Sequence, residues 1–135
     1  MKTDGEMQFK ILVVDDDVEQ AMSTKAILDS RGYQVGTAHN RASGMEEVKA
    51  QNPDLIILDV MMEGRHDGFE VARELKKDPQ SKHTPILMFT SIRERSGTDF
   101  KSEAGDPSWL PVEGYLDKTA EPEVLIAEVE RLLAK

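Results

Sequence analysis

The sequence predicts an α/β fold of five successive βα units, a parallel sheet with helices on both faces. Short aliphatic runs alternate with longer amphipathic stretches, which is typical of βα units around a mostly parallel sheet. One run, Leu55-Ile56-Ile57-Leu58, is apolar without alternation, as expected for a central strand covered on both faces. Polar residues follow the strand runs, at the edge where open parallel sheets collect their ligand chemistry.

The first unit begins with a strand predicted over residues 9–14. A helix follows in which Val18, Met22 and Ala26 recur at intervals of four and should share one apolar face. Gly32 should end this helix, because glycine readily takes the left-handed conformation found at helix ends.

The second unit is a strand over residues 33–38 and a helix carrying Ala42, Met45 and Val48. Pro53 follows that helix closely and closes it, because proline cannot continue a helix.

The third and fourth units surround the predicted middle of the sheet. Residues 55–58 form the third strand, and a helix over about residues 69–77 ends before Asp78-Pro79. A fourth strand is predicted over residues 85–89, and a helix over about residues 93–104.

The fifth unit follows an unusually long loop over residues 105–113, which contains Trp109. Its strand is predicted over residues 114–116, and Pro122 fits the first turn of the final helix. The apolar face of this helix is formed by Leu125, Val129 and Leu132.

Composition excludes several classes of function. The chain of 135 residues has the length of one domain, and we expect a single domain over residues 1–135, with residues 1–7 as a flexible extension and no output domain. The formal net charge of −9 repels nucleic-acid phosphates, so no direct nucleic-acid binding is expected. Cysteine is absent, which excludes thiolate metal sites and cysteine nucleophiles. No apolar run approaches the roughly 20 residues of a membrane span, and residues 1–6 lack signal-peptide features, so we expect a cytoplasmic protein without membrane insertion.

Polar side chains follow four of the five predicted strands. Asp15 and Asp16 follow the first, Asp59 the third and Thr90 the fourth, and Lys118 comes two residues after the fifth. Because these strand ends meet at one edge of the sheet, a single site is the simplest interpretation. Crowded carboxylates repel one another unless a cation lies between them, and Mg²⁺ (or Mn²⁺) prefers such oxygen ligands.

This set of residues could accept a phosphoryl group. Asp59 would act as the nucleophile, while the metal, the Lys118 ammonium and the Thr90 hydroxyl would neutralise or hydrogen-bond the phosphoryl oxygens.

Five runs resemble those of bacterial response-regulator receiver domains, in the correct order and near the family's spacing. They are I-L-V-V-D-D-D at 11–17, P-D-L-I-I-L-D-V-M-M at 53–62, D-G-F-E-V-A at 67–72, M-F-T-S at 88–91 and G-Y-L-D-K at 114–118. The resemblance covers residues 9–134. It implies a flavodoxin-like (βα)5 fold with strand order 2-1-3-4-5.

The resemblance also implies roles for individual residues. Asp59 would accept the phosphoryl group from a histidine kinase or phosphotransfer protein. Asp16 would bind the metal directly, Asp15 largely through water, and Met61 through its main-chain carbonyl. Chemistry would be limited to the domain's own phosphorylation and dephosphorylation, so we do not expect an enzyme.

A switch is implied by the same resemblance. Thr90 would move toward the phosphoryl group, Lys118 would pair with Asp59 beforehand, and Tyr115 would rotate inward. The signal would reach a downstream protein target through the surface of the fourth predicted helix, the fifth strand and the fifth helix.

Two alternatives stay open: a phosphate-independent interaction module on the same fold, and a flavodoxin-like electron carrier. The complete set of site residues argues against the first, and the acids after the first strand would repel the flavin phosphate required by the second. Asp17 is interpreted as an acid stabilising a helix start, and His39, His66 and His83 as incidental polar residues. Thr119 replaces the family's usual proline after Lys118.

Overall fold

Five parallel strands form the centre of the described chain, in the order β2-β1-β3-β4-β5. The structure is a computed structural model that describes residues 9–59, 67–90, 112–118 and 120–134, with the backbone alone at 67–70 and 90. The strands are β1 (Lys10–Val14), β2 (Gln34–Ala38), β3 (Leu55–Leu58), β4 (Ile86–Thr90) and β5 (Gly114–Asp117). The predicted fold class and strand order are therefore confirmed.

Four described helices connect or follow the strands: α1 (Val18–Asp29), α2 (Arg41–Gln51), α3 (Asp67–Lys77) and α4 (Pro122–Leu133). Local chemistry explains several of their ends. Asp17 caps α1 by accepting a hydrogen bond from the Gln20 backbone N–H, and Pro122 starts α4 as predicted. Asn52 ends α2 in the left-handed conformation, with φ of 51°. The predicted helix over residues 93–104 lies outside the described residues.

The pleat of the strands divides the core into two layers. Leu12, Val14, Ile56 and Leu58 pack with buried residues of α2 and α3, whereas Ile11, Val13, Leu55 and Ile57 pack with residues of α1 and α4. This alternation follows from the two-residue period of a strand. All four residues of β3 are buried, so the prediction of a central strand covered on both faces is confirmed.

The predicted apolar face of α1 is wrong. Val18 and Met22 are 53% and 49% exposed, and Ala26 is exposed too. The buried residues are Ala21, Thr24 and Leu28, on a face turned by roughly 120° around the helix axis at 3.6 residues per turn. Thr24 tolerates burial because its hydroxyl donates a hydrogen bond to the Gln20 carbonyl at 3.0 Å.

The predicted face of α2 is correct in part. Val48 is buried and Met45 packs against the core, as predicted. Ala42, however, is exposed, and Gly44 is buried instead. A Cβ atom on Gly44 would lie 3.0 Å from Cγ1 of Val14. The glycine therefore allows α2 to approach β1 closely.

We predict that Leu28→Ala lowers the free energy of unfolding by about 2–5 kcal/mol, because it leaves a cavity in a fully buried position. Met22→Ala on the same helix should change it by less than about 0.5 kcal/mol, because that side chain is half exposed. Urea unfolding of both variants measures the difference. A larger loss from Met22→Ala than from Leu28→Ala would mean that α1 buries the other face.

Candidate functional site

The pairing of β1 with β3 places two carboxylates side by side. Val14 pairs with Leu58 in the parallel ladder, so the next residues, Asp15 and Asp59, lie beside each other where the strands end. The Asp59 N–H donates to the Val14 carbonyl at 3.0 Å. The Asp15 N–H donates to the Ala38 carbonyl, also at 3.0 Å, which ties Asp15 to the end of β2. The ladder hydrogen bonds thus continue into the site and fix the backbone of both acids.

Asp15, Asp16 and Asp59 form one acidic cluster. Each offers a carboxylate oxygen, and these three atoms lie within 4.8 Å of one another. Asp15 and Asp59 are only 3% and 6% exposed, whereas Asp16 is exposed. Buried carboxylates need compensating charge or hydrogen bonds, so this cluster requires cations.

Lys118 supplies one such cation from the far side of the sheet. It follows β5 and reaches back past β4, so that its Nζ donates to Oδ2 of Asp15 at 2.7 Å and to Oδ2 of Asp59 at 2.9 Å. Its side chain is 13% exposed, and those of Asp15 and Asp59 are 5% and 7% exposed. Because all three groups are shielded from water, these ion pairs are little screened by salt.

Protonation reflects the competition between burial and charge. Burial raises the pKa of Asp15 from 3.8 to about 6, against the opposing hydrogen bond from Lys118, and the charge of Asp59 adds to the rise. Burial lowers the pKa of Lys118, but the hydrogen bonds and charges of Asp15 and Asp59 outweigh it, and the pKa is raised overall. One ammonium stays charged, yet it does not fully compensate the acids around it.

Two further contacts shape the loop after β1. The Asp17 N–H donates to Oδ1 of Asp15 at 2.9 Å. Asp17 is outside the acidic cluster and caps α1, in agreement with its predicted role at the helix start. The Nδ1 atom of His39 lies 3.0 Å from the Asp15 carbonyl oxygen, so Nδ1 must carry the proton that it donates. The sequence interpretation of His39 as incidental missed this contact. One feature of the sequence could have indicated this contact. His39 directly follows the second strand, whose last residue pairs with Val14, so His39 comes to lie beside Asp15.

The structure brings together Asp15, Asp16, Asp59 and Lys118, four of the seven predicted site residues. The backbone of Thr90 pairs with Asp117 at the ends of β4 and β5, which places it at the same edge, but its side chain lies outside the described residues. Met61, Thr119 and the segment 105–111 with Trp109 also lie outside them.

Tyr115 lies on β5, where it pairs with Met88 of β4. It is half-buried and packs against the core layer that holds α2 and α3. The inward rotation of Tyr115 stays a prediction.

The acidic cluster fits a hard divalent cation. Its donors are all carboxylate oxygens, which suit Mg²⁺ or Mn²⁺ better than softer metals. Asp16 is exposed beside two buried acids, so an ion could be approached from solvent. Asp15, Asp16 and Asp59 are therefore the residues that could hold it.

The fold and the site together define a class: doubly wound α/β domains with an acidic cluster and a lysine at the carboxyl edge of the sheet. The family model described as response regulator receiver domain matches residues 11–130. The protein PilH of Pseudomonas aeruginosa is 29% identical over 128 residues, covering 93% of this chain and 98% of PilH. The response regulator PleD of Caulobacter vibrioides is 34% identical over 126 residues, covering 93% of this chain but only 26% of PleD.

Solved structures agree with this class. The chemotaxis response regulator CheY4 of Vibrio cholerae matches with a TM-score of 0.75 at 29% identity, covering 93% of this chain and 99% of CheY4. This chain belongs to the response regulator receiver domain family of two-component signalling. Among the described helices, none has the length and apolar content needed to span a membrane.

We predict a pH-dependent stability difference between the wild type and Asp15→Asn in metal-free buffer. The pKa of Asp15 in the folded protein, about 6, exceeds its ordinary value of 3.8, so between these values the folded state binds the proton more tightly. Ionisation of Asp15 therefore lowers the stability of the wild type as pH rises from about 4 to about 6. The variant lacks this group and should gain stability relative to the wild type across that range.

Urea unfolding of both proteins at intervals from pH 4 to pH 7 tests this prediction. Observation of the Asp15 carboxyl carbon by NMR gives the midpoint independently. A stability difference that does not change with pH would contradict the raised pKa.

Proposed function

We propose that this receiver domain is a phosphorylation switch, in which Asp59 accepts a phosphoryl group from a histidine kinase or phosphotransfer protein with the help of Mg²⁺ (or Mn²⁺). The observation that carries the proposal is the buried pair Asp15 and Asp59 sharing the Lys118 ammonium, with Asp16 exposed beside them. A buried lysine paired with two acids at the edge of a sheet is poorly explained by a contribution to folding stability, because apolar residues can often replace a buried ion pair without loss of stability.

The chemistry follows from these groups. An oxygen of the Asp59 carboxylate attacks the phosphorus of the donor, the new P–O bond forms, and the P–N bond of a phosphohistidine breaks as the imidazole leaves and takes up a proton. Lys118 already donates to Asp59 at 2.9 Å, so its ammonium can follow the transferred group and pair with a phosphoryl oxygen.

The surplus of negative charge explains the requirement for a metal. In the described part of the site, three carboxylates lie together and one ammonium pairs with two of them, and an incoming phosphoryl group adds further negative charge. When bound by Asp15, Asp16 and Asp59, a divalent cation would neutralise this charge and the charge on the phosphoryl oxygens. The main-chain carbonyl of Met61 would complete the protein's ligands.

The relay is proposed to run through Thr90 and Tyr115. These residues lie on the paired strands β4 and β5, so a shift of the Thr90 hydroxyl toward the phosphoryl group would alter the space beside Tyr115. The surface formed by β5, α4 and the helix predicted over residues 93–104 would then present the signal to a downstream protein.

The setting proposed for this switch is the cytoplasm, with protein partners and without direct nucleic-acid binding or membrane insertion. The net charge of −9 supports the exclusion of nucleic acid. We propose that the domain transforms no separate substrate.

We predict that wild-type protein gains one phosphoryl group from acetyl phosphate only when Mg²⁺ is present, as measured by intact mass. Asp59→Asn should abolish the gain, because the amide is a poor nucleophile. Asp29→Asn is the matched control, since it removes an exposed carboxylate of α1, and it should be phosphorylated like the wild type.

Two results would count against the switch. Absence of phosphorylation in folded wild-type protein under every condition would favour a phosphate-independent interaction module. Phosphorylation of Asp59→Asn at the wild-type level would place the acceptor elsewhere.

The exposed apolar side chains suggest where a protein donor docks. Among the described residues, the large exposed hydrophobic side chains are Val18, Met22 and Val124. Val18 and Met22 lie in the first turns of α1, directly after the acidic cluster, and Val124 lies in the first turn of α4 on the same face of the sheet. These three residues therefore border the edge at which a donor must approach Asp59, and apolar contacts are typical of interface centres.

We predict that Met22→Glu slows phosphorylation by a protein donor about tenfold, through loss of an apolar contact and added charge. The rate with acetyl phosphate should stay the same, because this small donor does not contact α1. Ala50→Glu is the control. It adds the same charge at an exposed position on a different helix, near the carboxyl-terminal end of α2. The donor used is a phosphorylated histidine phosphotransfer protein that phosphorylates the wild type. If Met22→Glu and Ala50→Glu slowed phosphorylation by this donor equally, docking on α1 would be contradicted.

A further inference from the structure

A second polar site lies between α2 and α3, apart from the acidic cluster. Its described lining consists of Arg41, Arg73, Glu74 and Lys77, around an open cleft of about 310 Å³. This volume lies at the lower end of the range for small-molecule sites. The described lining residues lie on helices, whereas the acidic cluster is formed at the strand ends.

The charge of this cleft is opposite to that of the whole protein. Among the described lining residues, three cationic side chains accompany a single carboxylate, although the chain carries a formal net charge of −9. Glu74 is engaged with Arg41, whose Nη2 lies 2.7 Å from its Oε2. The local surplus of positive charge is therefore carried by Arg73 and Lys77.

Arg73 and Lys77 are spaced four residues apart on α3, which brings like charges together on one helix face. The Nη1 atom of Arg73 is also buried without a hydrogen-bond partner among the described residues. A buried donor without an acceptor costs free energy, and so does the repulsion between the two cations. An anion bound in the cleft, after a small rotation of the guanidinium, would relieve both costs.

We infer that the cleft between α2 and α3 binds a phosphate-bearing small molecule, whose phosphate oxygens are held by the Arg73 guanidinium and the Lys77 ammonium, with Arg41 at the rim. Arginine forms paired hydrogen bonds to phosphate oxygens. A phosphate fits better than a single carboxylate because it brings more charge and more acceptor oxygens to Arg73 and Lys77. The described lining has no aromatic side chain to stack a base, so recognition falls on the phosphate part.

The test is a titration of ¹⁵N-labelled protein with inorganic pyrophosphate, followed by NMR in buffer without divalent cations. Under these conditions the acidic cluster repels the probe. We expect saturable shifts of the amides around Arg41, Arg73 and Lys77. Arg73→Gln should weaken binding about tenfold or more, as expected for loss of a charged hydrogen bond.

Matched variants make the outcome specific. Arg73→Lys keeps the charge but loses the planar fork, and it should also weaken binding. Lys25→Gln is the control, because it removes one positive charge from α1 on the opposite face of the sheet, and it should bind like the wild type. Asp59→Asn should bind unchanged too, so failure of the phosphorylation switch and failure of this site are distinguishable.

Three results would overturn the inference. One is the absence of saturable shifts up to about 10 mM pyrophosphate, a concentration well above a millimolar dissociation constant. The second is equal binding by the wild type and by folded Arg73→Gln. The third is reproduction of the same shifts by sodium chloride at matched ionic strength, which would show general screening of charge.

Discussion

The site depends on one shared cation, the Lys118 ammonium between Asp15 and Asp59. Two buried carboxylates on adjacent strands repel each other, and their burial removes the water that would otherwise screen them. The ammonium comes from β5, two strands away from Asp59 in the sheet order, so this interaction also ties the far strand to the centre of the site. The compensation is incomplete, as the raised pKa of Asp15 indicates. An incompletely neutralised cluster of oxygen ligands can receive another cation. In the proposed switch, that cation would make an anionic phosphoryl group acceptable.

The parallel sheet is what allows this arrangement to be built from residues far apart in sequence. Lys118 lies 103 residues from Asp15 and 59 from Asp59, yet each residue needs only to follow its own strand. The ladder hydrogen bonds that hold β1 against β3 extend to Asp59 itself. Side chains at such positions lie on backbone that is already fixed by the sheet, so little entropy remains to be lost when a ligand binds.

Much of the fold and the site could be predicted because it depends on local signals. The unbroken apolar run of β3 identified the central strand, and the acids and lysine after the strands identified one edge.

The face of α1 could not be predicted in this way. Its buried side includes Thr24 and Ala21, which look weakly apolar in sequence, while the regular spacing of Val18 and Met22 belongs to the exposed side. The hydrogen bond from the Thr24 hydroxyl to the Gln20 carbonyl makes its burial possible. The contact of His39 with Asp15 depends on strand register, and the sharing of Lys118 between two acids depends on side-chain geometry; neither is visible in a sequence pattern.

Phosphate is repelled by a protein of net charge −9, and the two sites proposed here overcome that repulsion in different ways. At the acidic cluster the groups proposed to receive the phosphoryl group are themselves anionic, so its acceptance would depend on a metal. In the cleft between α2 and α3 the described lining carries three cations, of which Arg41 pairs with Glu74. A phosphate held there would need neither metal nor covalent bond. Because α2 and α3 pack on the layer of the core that also contacts Tyr115, occupation of the cleft would act on the same layer through which the switch is proposed to signal.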